Sequence, residues 1–110
     1  MRAPIRYIDP MATETTTAEP DVERRVGLAP QWKVLILDDD VTTFEFVIWL
    51  LISLFRKNRP EAERITREIH DTGSALVVVT NFERAELYVE QVRALARPRG
   101  YPLTAEIEEA

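Results

Sequence analysis

Cysteine is absent from the 110-residue chain, so a disulfide framework and a thiolate metal site are both excluded. An excess of positive charge is missing too. Fourteen Lys and Arg stand against nineteen Asp and Glu, a net charge of −5. That balance argues against a nucleic-acid binder working by phosphate neutralisation. The longest apolar run, Phe46 to Leu54, is broken by Ser53 and is too short to cross a bilayer. The first thirty residues hold no apolar stretch of the kind a secretory signal needs. A soluble, cytoplasmic protein with no membrane or nucleic-acid partner and no cofactor is expected. Asp40 and His70 lack a convincing Ser or Cys nucleophile to serve, so no enzyme activity is expected.

What is present divides at about residue 30. Residues 1–30 carry four of the seven prolines (Pro4, Pro10, Pro20 and Pro30) and a Thr-rich patch, without periodicity. They read as a flexible amino-terminal extension. Residues 31–110 read as one small domain with a modest core. Lys33–Leu37 has the texture of a buried strand, and Thr43–Phe55 that of a helix apolar almost all round. Such a helix is central in its fold or partly covered by a partner. Arg56, Lys57 and Arg59 suit the carboxyl end of that helix. Pro60 opens a second helix running to about His70, which Gly73 ends. Ala75–Val79 is β-branched and apolar, a second strand. Asn81 caps a third helix, Phe82–Ala96. After a turn at Pro98-Arg99-Gly100, Leu103, Ala105 and Ile107 alternate with polar residues as a half-exposed strand does. The order is β-α-α-β-α-β, an α+β domain with a three-stranded antiparallel sheet packed against three helices.

Chemistry concentrates between the first strand and the first helix. Asp38, Asp39 and Asp40 precede Thr42-x-x-Glu45, the spacing of a capping box, so the helix is expected to start at Thr43. Carboxylates held at a helix amino end can accept hydrogen bonds from a cation. A free amino terminus presents three donors and requires several acceptors in a fixed cluster. Carboxylates bind it through charge-assisted bonds, and a neutral histidine ring adds a lone pair. An apolar cavity alongside would read the first side chain. Taken alone, the triplet is also compatible with a solvated charge cluster, or with an oxygen-ligated Mg²⁺ or Ca²⁺ site lacking EF-hand spacing. Three like charges in a row are expected to raise some carboxylate pKa values.

Asp38-Asp39-Asp40-Val41-Thr42-Thr43-Phe44-Glu45-Phe46-Val47 resembles N-D-D-x-T-P-M-E-F-V, the signature of the ClpS family of adaptors. His70-x-x-Gly73 and Pro102-Leu103 stand in register with it, so the resemblance covers about Trp32 to Ala110. It implies an adaptor that binds proteins bearing a bulky hydrophobic first residue (an N-degron) and hands them to a Clp AAA+ unfoldase, ClpA-type or ClpC-type. It further implies amino-terminus binding by Asp38, Asp40 and His70, with Asp39 nearer the second residue's backbone. A side-chain pocket of Thr42, Phe44, Val47, Thr66, Ile69 and Leu103 follows from the same resemblance, as does unfoldase docking through Glu83. Asp38 stands where the family has Asn, Phe44 where it has Met, Thr66 where it has an apolar residue, and Tyr88 where it has Lys. The alternative is a protein-interaction domain of the same fold without amino-terminus recognition.

Overall fold

A computed structural model of the protein describes residues 29–110. The amino-terminal extension expected over residues 1–30 lies outside the described residues, save Ala29 and Pro30. The alternating and apolar segments become three strands: β1 (Trp32–Leu37), β2 (Ser74–Thr80) and β3 (Thr104–Glu109). β1 is central and pairs antiparallel with both neighbours, in the order β2-β1-β3. The expected β-α-α-β-α-β order and the single antiparallel sheet are both found. Opposite Val34 and Leu35 the register of β2 slips by one residue at Val77, a bulge that leaves both Ala75 and Val77 buried.

The three helices follow their caps. α1 (Phe44–Ser53) begins one residue later than the capping-box spacing indicates, because Thr43 is the cap: its Oγ1 accepts from Phe46 N–H at 3.1 Å. Thr42 instead donates its N–H and hydroxyl to Asp39. Glu45 therefore lies too close to the cap to bond back to it, and its exposed side chain reaches Arg59 at 3.9 Å instead. α1 ends at Ser53 rather than Phe55, and Arg56 turns the chain at φ 62°, the left-handed region. α2 (Arg59–Thr72) starts on Asn58, whose Oδ1 accepts from Glu61 N–H at 2.9 Å, and carries Pro60 in its first turn. It runs two residues past His70 to Gly73, where φ is 99° and glycine carries no Cβ penalty. α3 (Phe82–Ala96) is capped by Asn81, as expected, with Arg84 N–H donating at 2.8 Å. A single 3₁₀ turn, Arg97–Arg99, follows.

α2 packs on β2, α3 on β3 and β1, and α1 on α2. Val34 and Ile36 from β1 meet Leu50 and Leu51 from α1, Ile65 from α2 and Val92 from α3 in one buried core. Burying each such side chain contributes roughly 1.5–3 kcal/mol. The all-round apolar α1 is central, and five of its ten residues are buried, which accounts for its composition. Trp49 remains exposed on its outer side, in contact with the Phe46 ring and under the Arg99 guanidinium at 5.2 Å.

Leu50 is fully buried and Leu87 is 49% exposed. Leu50→Ala is expected to destabilise the protein by about 2–5 kcal/mol in urea unfolding, and Leu87→Ala by no more than about 0.5 kcal/mol.

Candidate functional site

The sheet brings the acidic loop to the end of α2. Leu37 pairs with Ser74, and one residue on, Asp38 N–H donates to Gly73 O at 2.9 Å. This extends the β1–β2 ladder by one bond and sets the Asp triplet against the last turn of α2, which carries His70.

Within the loop the three carboxylates divide the work. Asp39 folds it: Oδ1 accepts from Val41 N–H at 2.8 Å and Thr42 N–H at 2.7 Å, and Oδ2 from the Thr42 hydroxyl at 2.8 Å. A carboxylate offers about four acceptor sites, so one remains for a ligand. Burial pushes the Asp39 carboxyl up, but the bonds from Thr42 and Val41, helped by the Arg97 charge, outweigh it and hold it below its ordinary value. For this member of the triplet the direction is therefore the reverse of the rise expected from like-charge crowding. Asp38 and Asp40 are exposed and accept no hydrogen bond or ion pair among the described residues. Their acceptor oxygens stand open beside the imidazole.

His70 is held by a ring contact. The Phe44 ring meets it edge-to-face, centroids 5.2 Å apart. Such a pair contributes about 0.5–1.5 kcal/mol beyond the area it buries, so each ring restrains the other. Below them the walls are buried: Val47 from α1, Thr66 and Ile69 from α2, and Leu103 ahead of β3. The Thr66 hydroxyl donates to Ala62 O one turn back at 2.7 Å, so this polar residue is satisfied inside its own helix.

These residues enclose one cavity of about 220 Å³. Asp38, Asp39, Asp40 and His70 line it together with Thr42, Phe44, Val47, Thr66, Ile69 and Leu103. Leu37 lines it as well and was not anticipated, although it directly precedes the triplet. The volume lies below the roughly 300–1,000 Å³ of pockets for drug-sized ligands, and suits a single amino-acid side chain. Glu83 is not part of this cavity. It stands exposed in the first turn of α3. On the same helix Tyr88 stacks on Phe55, centroids 4.6 Å apart. No group of three or more His, Asp or Glu among the described residues is arranged to hold a metal ion.

Comparison with known proteins assigns this architecture. The family model described as "ATP-dependent Clp protease adaptor protein ClpS" matches residues 28–106. The chain belongs to the ClpS family. It is 45% identical over 94 residues to the ATP-dependent Clp protease adapter protein ClpS of Nautilia profundicola, across 86% of this chain and 95% of that one. It is 35% identical over 100 residues to the corresponding protein of Desulforapulum autotrophicum, across 91% and 94% of the two chains. Agrobacterium tumefaciens ClpS2, solved bound to L-phenylalaninamide, superposes with a TM-score of 0.72 at 33% identity. That match covers 74% of this chain and 98% of that one. The β-α-α-β-α-β fold is thus the ClpS fold, and the protein is a member of a family of Clp protease adaptors. No helix among the described residues is long and apolar enough to cross a membrane.

The Asp39 geometry carries a pH dependence. Its folded-state pKa lies below the ordinary 3.8, so its stabilising effect is fully present above about pH 4. That effect is lost as pH falls through the lowered folded value. Asp39→Ala is expected to cost about 1 kcal/mol at pH 7 in urea unfolding, and to narrow the gap between variant and parent at pH 2–3. An undiminished gap in acid would show that the Asp39 charge contributes nothing.

Proposed function

We propose that this ClpS-family protein is a non-enzymatic adaptor that binds proteins by a bulky hydrophobic first residue and delivers them to a Clp AAA+ unfoldase–protease in the cytoplasm. The observation that carries the reading is a single cavity with open acceptors at its mouth and apolar walls beneath. An α-ammonium group brings three donors and a positive charge, and Asp38, Asp40 and His70 offer acceptors for them. The side chain on the same Cα then enters between Phe44, Val47, Thr66, Ile69 and Leu103. Asp39 shapes the loop and keeps one acceptor site for the backbone that follows. A residue inside a polypeptide has no ammonium and cannot satisfy the mouth.

The A. tumefaciens relative holds L-phenylalaninamide, which combines a free amino group with an aromatic side chain. That chemistry matches the two halves of this cavity, and Phe, Tyr, Trp and Leu are the first residues assigned to it. Substrates captured here would pass to a ClpA-type or ClpC-type unfoldase, with the exposed Glu83 on α3 in the docking face. The extension over residues 1–30 would take part in delivery.

Fluorescence anisotropy with peptides that differ only at residue one, each free or acetylated at its amino terminus, tests the reading. Acetylation removes the charge and two donors, and is expected to abolish binding of the Phe, Tyr, Trp and Leu peptides. His70→Ala is expected to weaken binding of the free peptides by about 1–3 kcal/mol. Binding indifferent to acetylation would make the protein a plain interaction domain.

A further inference from the structure

We propose that Arg97, a residue outside the cavity, is a positioning residue for it: its guanidinium fixes the Leu103 wall through the carbonyls of Tyr101 and Leu103. The inference rests on the first-residue reading of the site and adds a specificity determinant to it.

Leu103 is 1% exposed and forms the wall facing α1 and α2, yet it precedes β3 and its carbonyl falls outside the β1–β3 ladder. It also follows a tight reversal. Gly100, at φ 81°, donates its N–H to Arg97 O at 2.9 Å, and Tyr101 N–H donates to Ala96 O at 3.1 Å. The Tyr101 ring packs on Phe46 and Leu103 is buried, and the Arg97 side chain folds over the reversal to hold the backbone between them. Its Nη1 donates to Tyr101 O at 3.0 Å and to Leu103 O at 2.8 Å. Nη1 carries two hydrogens, one for each carbonyl, and a planar guanidinium holds both directions at once. Arg97 itself is anchored as the carboxyl cap of α3, where its backbone N–H donates to Arg93 O. The clamp therefore ties the cavity wall to α3, the longest of the described helices.

The same cation bears on the opposite side of the cavity. Its charge acts on Asp39, the carboxylate that holds Val41 and Thr42 in place. One exposed arginine thus holds the segment that carries Leu103 through two carbonyls and adds a favourable charge for Asp39. Displacement of Leu103 changes the shape of the apolar cavity without removing any of its residues. First residues of different shape, Phe and Leu, then lose affinity unequally.

The test measures Phe-first and Leu-first peptides, free and acetylated, on the full chain and on Arg97→Ala and Arg97→Lys, with circular dichroism melts of each. Arg97→Ala is expected to remain folded and to lose about tenfold in affinity for free Phe-first peptides. Its Phe-to-Leu preference is expected to change by about threefold or more, and Arg97→Lys to recover part of both. Affinities within about twofold of the parent and an unaltered preference would overturn the inference alone. An equal fall for both peptides that tracks the folded fraction would also overturn it, as a purely structural role. Should Arg97→Ala not fold, the preference ratio of Arg97→Lys decides by the same criteria. A parent protein indifferent to acetylation would overturn the first-residue reading, and this inference with it.

Discussion

Asp39 spends its carboxylate inside the chain, and much of the site depends on that. Its three bonds to Val41 and Thr42 fold the loop between β1 and α1. Thr43 caps the helix, and Phe44 is the first residue of α1, close enough to reach the His70 ring. The neighbouring Asp38 and Asp40 are left exposed, without partners among the described residues. A cluster of three like charges is costly when all three must compete for water at one place. Here one is satisfied by three donors, and two are left exposed.

The sheet supplies the second constraint. The Asp38 N–H bond to Gly73 O prolongs the β1–β2 ladder by one rung and carries the loop to the end of α2. His70 is brought there by helical periodicity: it follows Ile69, and Thr66 lies one turn back on the same helix. A single helix thus contributes a polar rim residue and two buried walls to the same cavity. In the proposed reading, a group that would meet the amino group and groups that would meet the side chain thus share one helix.

The sequence made the element order legible because each boundary carries its own chemistry. Asn81 caps α3, Gly73 stops α2 in a conformation few other residues tolerate, β2 is short, apolar and β-branched, and β3 alternates. The start of α1 differs by one residue from the spacing, because Thr42 and Thr43 are both fit to cap. In the structure Thr43 accepts from Phe46 N–H while Thr42 bonds to Asp39, a division that spacing does not reveal. Asn58, set among Arg56, Lys57 and Arg59, caps α2. The residues of the cavity were legible through family resemblance, since three separated segments had to be assembled. The roles of Leu37 and Arg97 were not. One is a strand end that looks like core, and the other an arginine whose partners are backbone carbonyls, invisible in a string of side chains.

The central claim is that the mouth of the cavity holds an α-ammonium while the walls hold the side chain of the same residue. A crystal structure of this protein with L-phenylalaninamide tests it most directly. The account predicts the ligand's amino nitrogen within about 2.7–3.2 Å of Asp38, Asp40 and His70 acceptors, and the phenyl ring against Val47, Ile69 and Leu103. A ligand bound elsewhere, or one with its ring in the cavity and its amino group turned to solvent, would contradict it.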